Sequence, residues 1–325
     1  MPIYRLLNWK AAADALYLTF SDSVLAIPSL QRIFRYFALF IVFALLLGAG
    51  VGPAEVHGYQ LPDTGQTECY DNYGNVINCT TFYGEDAQYE GDQPAYQDNG
   101  NGTVTDLNTG LMWQQDGGNY GTLGDAEHYC TTLTLGGYTD WRIPNRRELV
   151  SIVDYGQYNP SINTGVFSVS ASSAYWSSTP LVNVFLPNYV WSTIFENGLV
   201  VYNSSNPEAL LYVRCVRGDS LPLGQFIDNG DGTVIDHTTG LIWERQGWPS
   251  GRFVPKGTWQ DALADCENLI LAGYDDWRLP NIRELESLVD FTRYNPTIDS
   301  AAFNCCGNPP WYEIAVRLSR RAELP

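Results

Sequence analysis

Lysine is nearly absent from this 325-residue chain: Lys10 and Lys256 are the only two. With 18 Lys+Arg against 36 Asp+Glu, the formal net charge is −18. Residues 1–54 hold four of the basic and two of the acidic side chains, so the remainder carries 14 against 34, a net of −20. Such a surface repels nucleic acid, anionic lipid and sulfated glycans. Nucleic acid is therefore excluded as a partner, and neutral ligands, cations and basic proteins remain. Histidine is scarce as well. His57, His128 and His237 are scattered, and no Ser/His/Asp or Cys/His set suggests itself.

Beyond the N-terminus there is no long apolar run. Arg32 and Arg35 precede Tyr36–Ala54, which carries no charge; its strongly apolar part, Phe37–Val51, is 15 residues long. A full membrane span needs roughly 20, so the run suits the apolar stretch of a secretory signal. Residues 1–54 are expected to be a signal peptide cleaved near Ala54, with an uncleaved N-terminal anchor as the alternative. No cysteine follows closely, which argues against a lipid anchor. The 30 residues before Gln31 are long for the leading part of a signal and fit a true start near Leu30. The expected location is the bacterial periplasm, the cell surface or the medium. Membrane contact is expected only through this segment.

Export places the seven cysteines in an oxidising setting, and an odd count leaves at least one outside an intramolecular pair. Residues 55–95 read as a disulfide hairpin and linker. Asp71-Asn72-Tyr73-Gly74 supplies turn chemistry between two short arms, and a Cys69–Cys79 bond would staple a hairpin too small to hold itself together. A metal site there would need further ligands, and only His57 is near.

The rest of the chain is organised around a repeated run. Gly137-Tyr-Thr-Asp-Trp-Arg-Ile-Pro-Asn-Arg-Arg-Glu-Leu149 returns as Gly273-Tyr-Asp-Asp-Trp-Arg-Leu-Pro-Asn-Ile-Arg-Glu-Leu285. Proline holds the preceding Ile143 or Leu279 extended. Asn145 or Asn281 then caps a helix, with Glu148 or Glu284 at the third position as in a capping box. The helix buries Leu149, Ile152 and Val153, or Leu285, Leu288 and Val289. Upstream, Asp98-Asn-Gly-Asn-Gly-Thr-Val-Thr-Asp-Leu-Asn-Thr-Gly-Leu-Met-Trp113 matches Asp228-Asn-Gly-Asp-Gly-Thr-Val-Ile-Asp-His-Thr-Thr-Gly-Leu-Ile-Trp243. A first helix follows in each copy, capped by Thr122 or Thr258. Its apolar face is Leu123, Ala126, Cys130 and Leu133, or Trp259, Ala262, Cys266 and Leu269. From Leu135 to Ile162 against Leu271 to Ile298, 18 of 28 positions are identical. This is duplication of a whole domain: copy one over 96–218, copy two over 226–303.

Copy one continues through β-rich runs at 174–179, 188–193 and 199–202 and ends in Leu210-Leu-Tyr-Val-Arg-Cys-Val-Arg217. Cys130 on a helix and Cys215 on the last strand form the natural long-range disulfide. Copy two does not continue this way. After Phe303 comes a divergent tail, 304–325, without Tyr-Trp-Ser-Ser-Thr or Tyr-Val-Arg-Cys. Copy two reads as truncated, by a frameshift or otherwise. Cys266 loses its equivalent partner, and the second sheet is expected to lack its closing strands.

Asp-Asn-Gly-x-Gly-Thr-Val-x-Asp-x-x-Thr-Gly-Leu-x-Trp, Asp-Trp-Arg-Ile/Leu-Pro-Asn-x-Arg-Glu-Leu, Tyr175-Trp-Ser-Ser-Thr179 and Tyr212-Val-Arg-Cys-Val-Arg217 form one set. They resemble the C-terminal domain family of the Legionella collagen-like (Lcl) adhesin, a family of unknown function, over 96–218 fully and 226–303 in part. The resemblance implies an α+β, C-type-lectin-like fold: two helices packed on a twisted, mostly antiparallel sheet, here duplicated. It also implies an exported, non-catalytic binding or adhesion role. The namesake's sulfated-glycan ligand does not transfer to so acidic a chain. The Trp-Arg-Ile-Pro-Asn run is also similar to the Arg-Leu-Pro-Thr start of a helix in formylglycine-generating enzymes.

Candidate chemistry is thin. Asp98, Asn99, Asn101 and Asp106, with Asp228, Asn229, Asp231 and Asp236, offer oxygen ligands for calcium, the one cofactor the residues suggest. The EF-hand pattern fails because its first position falls on Gln97 and Ile227. The same Asn-Gly and Asp-Gly pairs are common hairpin turns. Arg142 and Arg278, beside Trp141 and Trp277, suit a buried ion pair more than a substrate clamp. Trp113, Trp141 and Trp176 fit strand patterns and a core. Tyr120, Tyr189 and Trp248 lie in loops and could stack on a sugar. Cys305-Cys306 could be redox-active, though a mis-terminated tail explains them more simply. Three functions stand: a binding or adhesion protein for a neutral glycan or protein surface, a structural surface protein that works as an oligomer, and an enzyme on the formylglycine-generating scaffold.

Overall fold

A computed structural model describes residues 61–89, 91–169, 174–183, 185–206, 208–245, 258–294, 297–303 and 318–319. They fall within one unit, His57–Pro325. Among them no helix is long and apolar enough to cross a membrane. Residues 1–54 lie outside the described residues.

The N-terminal hairpin forms as its cysteines require. Strands β1 (Cys69–Tyr70) and β2 (Val76–Ile77) pair antiparallel, and Cys69 and Cys79 are bonded with Cα atoms 5.2 Å apart. Asp71 organises the turn, its carboxylate accepting from the backbone N–H groups of Tyr73 and Asn75 at 2.8 and 2.9 Å.

Copy one begins with β3 (Tyr96–Asp98), β4 (Thr103–Asp106) and β5 (Met112–Gln114), joined by the Asn-Gly and Thr-Gly turns. Next come β6 (Tyr120–Gly121) and helix α1 (Leu123–Thr132). Thr122 caps α1 by accepting from Asp125 N, and the Asp125 side chain bonds back to Thr122 N. Helix α2 (Arg146–Ser151) starts the same way, from Asn145 and Glu148. Strands β7 (Ala174–Pro180), β8 (Tyr189–Ile194), β9 (Leu199–Ser204), β10 (Leu211–Tyr212) and β11 (Val216–Arg217) complete the copy.

The expected single sheet is in fact two: four strands in the order β11-β5-β4-β3, and five in the order β6-β10-β7-β8-β9. Every pairing is antiparallel except β10 with β7. The division falls at Val213-Arg214-Cys215, where the last run leaves one sheet for the other. Arg214 is fully buried there and donates to the carbonyls of Gln114, Gln115 and Ser168 at 2.7, 2.7 and 2.6 Å. Burial pushes its pKa down to about 10.

Alternation along the strands feeds two cores. Trp113, Val216 and Tyr175 join Leu149, Ile152 and Val153 of the α2 region. Trp176 and Cys215 join Ala126 and Cys130 of α1, with Met112 packed against them. Trp141 and Ile143 lie in this second core. Cys130 and Cys215 are bonded across an 85-residue separation. Cys130→Ala with Cys215→Ala is expected to cost about 2–4 kcal/mol. Urea denaturation of the oxidised and substituted proteins measures it; equal midpoints would show that the bond constrains little.

Copy two repeats the first sheet with β12 (Phe226–Asp228), β13 (Thr233–Asp236) and β14 (Leu241–Glu244), and carries helices α3 (Trp259–Glu267) and α4 (Ile282–Ser287). The tail is more than a divergent end: it supplies β15 (Leu318–Ser319). Its pairs Ile242↔Ser319 and Trp243↔Leu318 repeat Met112↔Arg217 and Trp113↔Val216. The closing strand expected to be missing is therefore present in this sheet. Strand pairing is a main-chain property, so a tail with unrelated side chains can fill the place. Among the described residues copy two has no counterpart of the five-stranded sheet.

Part of that gap is filled from the N-terminus, and the stretch expected to be a linker packs on both copies. In copy one the end of β7 meets the start of α2: Ser178 N donates to Pro144 O at 2.8 Å, and Arg146 N to Thr179 Oγ1 at 2.9 Å. In copy two Asp86 meets the start of α4, accepting from Asn281 Nδ2 at 3.0 Å. Gly84, at φ +105, lies against Leu263 and Glu267 of α3, where an added Cβ would come within 3.3 Å of Leu263 Cβ. Tyr89 donates to Glu267, and its ring sits 5.0 Å from the Arg278 guanidinium. Leu61 packs on the copy-two core of Val234, Trp243, Leu288 and Phe303. On the other side Tyr155 N donates to Thr64 O at 2.9 Å. A Cβ on Gly156 would stand 2.0 Å from Gly65 O, so only glycine fits that approach.

The copies dock through α2 and α4 in a reciprocal way. Arg147 donates to the carbonyls of Ser287 and Val289 at 3.3 and 3.0 Å. Its equivalent, Arg283, donates to the carbonyls of Ser151 and Val153. Each arginine thus satisfies carbonyls at the C-terminal end of the other copy's helix, where the helix dipole favours a cation. The symmetry is broken at Arg146, which pairs with Glu286 at 2.6 Å, whereas the equivalents are Ile282 and Val150.

Candidate functional site

The docking of the copies carries an aromatic stripe onto the five-stranded sheet. Strands β8 and β9 pair in register along six residues. Tyr189 and Trp191 share one face of β8 by alternation, and Tyr202 of β9 stands directly across from Trp191. The Tyr202 ring lies 5.7 Å from Tyr189 and 5.9 Å from Trp191, both edge-on. Trp191 in turn meets Phe291 of copy two at 6.3 Å. The buried Arg146 guanidinium sits 4.3 Å from the Trp191 ring and 4.1 Å from Phe291, so a desolvated cation holds both rings by their faces.

At its free end the stripe opens into a cleft of about 440 Å³ lined by Phe185, Leu186, Pro187, Asn188, Tyr189, Ser204, Ser205 and Asn206. The loop is shaped locally. Leu181 N donates to Tyr189 O at 2.8 Å, Phe185 N to Asn183 Oδ1 at 2.8 Å, and Ser205 N to Asn188 O at 2.7 Å. Phe185 is left 80 % exposed. No acidic or basic side chain lines the cleft. The sequence carries the reason: Tyr155 to Phe195 contains no Asp, Glu, Lys or Arg, nor does Asn197 to Pro207. In a chain of net charge −18 this is an uncharged surface. Ring faces beside amides and hydroxyls suit neutral ligands with an apolar face and hydroxyl groups.

The structure distributes the sequence-derived candidates. Tyr189 lines the cleft, as the first residue of β8 and not in a loop. Tyr120 is on β6, not in a loop, at the opposite edge of the same sheet, its ring tilted against Tyr212 at 4.9 Å, so the two tyrosines do not share a site. Trp248 lies outside the described residues. Phe185 and Tyr202 were missed; the charge-free tract around them was the available signal.

The side chains proposed for calcium make hydrogen bonds within their turns. Asp98 and Asp228 accept from Gly100 N and Gly230 N at 2.8 and 2.9 Å, and Asp228 also pairs with Arg245 at 2.9 Å. Asn99 and Asn229 donate to Thr103 Oγ1 and Thr233 Oγ1. Asn101 and Asp231 accept from those same hydroxyls. Asp106 and Asp236 are buried at the far ends of their hairpins, accepting from Asn108 N and Thr238 N. Burial raises the Asp106 pKa. Among the described residues no three His, Cys, Asp or Glu side chains gather to hold a metal.

The repeated run is framework. Glu148 is completely buried and receives both terminal nitrogens of Arg142 at 2.8 Å and Asn145 N at 2.7 Å. Glu284 holds Arg278 and Asn281 N in the same way. The ion pair expected for these arginines is thus made with the capping glutamate six residues on. Trp141 and Trp277 are buried.

The model of the Lcl C-terminal domain matches residues 102–217 and 232–313. The chain belongs to the Lcl C-terminal domain family. Two matched segments agree with two copies of the Lcl domain, and the second runs past Phe303 into the tail. Comparison with curated proteins finds no match.

Proposed function

We propose that this Lcl-domain protein is an exported, non-catalytic binding or adhesion protein. Its ligand is neutral, a glycan or an uncharged protein surface, taken at the Tyr189 cleft. The observation that carries the reading is a charge-free aromatic cleft on a chain whose remainder is strongly acidic. Polyanions are repelled by that remainder, and hydroxyl-rich rings suit Phe185, Tyr189, Asn188 and Asn206. Two disulfides fit an oxidising compartment and so favour export. Helices backed by a mostly antiparallel sheet, with a long loop-bearing hairpin, fit a C-type-lectin-like domain. In a formylglycine-type enzyme a reactive cysteine pair would be needed, whereas Cys130 and Cys215 are bonded inside a core. No metal or cofactor is assigned.

An array of neutral glycans tests the reading with the full-length protein. Binding of at least one neutral glycan is expected, weakened about tenfold or more by Tyr189→Ala, the loss of one stacking contact. Tyr120→Ala, at the other edge of the sheet, should leave it unchanged. Binding confined to sulfated glycans would sink the proposal.

A further inference from the structure

We infer that β9 is a self-pairing edge: two copies of the chain join β9 to β9, antiparallel across a two-fold axis, into one continuous sheet. The inference does not rest on the ligand reading. Among the described residues β9 has a neighbour on one side only. It is six residues long and pairs with β8 without a bulge, so its free side is straight. Ser205 N bonds Asn188 O, so the pairs Val190–Asn203, Ser192–Val201 and Ile194–Leu199 are the hydrogen-bonded ones. Val200, Tyr202 and Ser204 therefore direct their N–H and C=O groups away from the sheet.

Edge strands are ordinarily protected by lysine, proline, bulges or inward charges. Leu199-Val-Val-Tyr-Asn-Ser204 has none of these and is rich in strand-forming residues. Leu199 and Tyr202 are 56 % and 49 % exposed.

Three observations select a second copy as the occupant. The edge lies in a charge-free tract, Asn197 to Pro207, of an acidic chain, so two copies approach here with little local repulsion. Antiparallel pairing about a dyad is self-complementary: Tyr202 faces Tyr202 of the second copy, and Val200 faces Ser204. The aromatic stripe Phe291–Trp191–Tyr202 already runs from the joint between the repeats to this edge, and a second copy continues it.

Sedimentation equilibrium of the full-length chain in density-matched neutral detergent reads the outcome. A concentration-dependent dimer is expected. Tyr202→Lys sets like charges opposite each other and should raise the dissociation constant at least tenfold. Val200→Pro removes an outward N–H while sparing the ladder to β8, and should weaken the dimer too. Mixing Tyr202→Lys with Tyr202→Glu should restore a dimer, which neither variant could do if simply unfolded. A wild-type chain monomeric up to about 1 mM, the range of the weakest contacts, overturns the inference. So does a dimer untouched by Tyr202→Lys, or a charge-swapped mixture that stays monomeric.

Discussion

Glu148→Ala is expected to lower the stability of the protein by about 3–5 kcal/mol, the usual result of removing one partner from a buried ion pair. The carboxylate is buried, and four groups depend on it: both terminal nitrogens of Arg142, Asn145 N, and Leu221 N at 3.3 Å. Without it a half-buried guanidinium loses its counter-charge and the N-terminus of α2 loses half of its capping box. Since α2 presents Arg147 to the second copy, the damage should spread to the docking of the repeats. Equilibrium urea unfolding provides the measurement, and a loss below about 1 kcal/mol would mean that water replaces the carboxylate cheaply. A cycle with Arg142→Met should show strong coupling, because the second substitution removes the orphaned charge.

Arg147→Ala with Arg283→Ala should uncouple the two copies. Hydrogen bonds from a charged donor contribute roughly 1.5–3 kcal/mol each, and each arginine supplies two across the joint, so about 3–6 kcal/mol is at stake at either site. Arg283 is 3 % exposed, so its truncation also leaves a void. The double variant should unfold in two calorimetric transitions and be cut by protease between the copies, near residues 218–226. A single transition at the original temperature would show that the N-terminal segment alone holds the repeats together.

What could be read in advance follows the range of the interactions. Caps at Thr122, Asn145, Thr258 and Asn281, the Cys69–Cys79 hairpin and the alternation of β7 to β9 are set by residues within a few positions of each other, and each stands as read. Cys130–Cys215 was legible because a helix and a closing strand bracket one domain. The failures lie in long-range contacts that follow no sequence pattern. β15 pairs by its main chain, and a pattern search for Tyr-Val-Arg-Cys has nothing to find in it. Asp86, Gly84 and Tyr89 meet copy two across nearly two hundred residues, through a glycine approach and single polar contacts that leave no periodicity. In the candidate site, Tyr189 was visible as an aromatic beside a turn, though it stands at the start of β8 and not in a loop, and its partner Tyr202 depends on the β8–β9 register. The sharper clue was the missing charge over Tyr155 to Phe195.

The joint between the repeats also bears on how the two copies could drift apart. Across the joint Arg147 and Arg283 bond to carbonyls, so the residues that supply those carbonyls are free to change identity as long as each short helix ends where it does. Mutations at 150 or 286 alter what surrounds the joint, and Arg146 with Glu286 is one such difference between the copies. A contact of this kind leaves no co-varying pair behind it. Two repeats could lose most of their common residues, keep the one arginine each, and still close on each other.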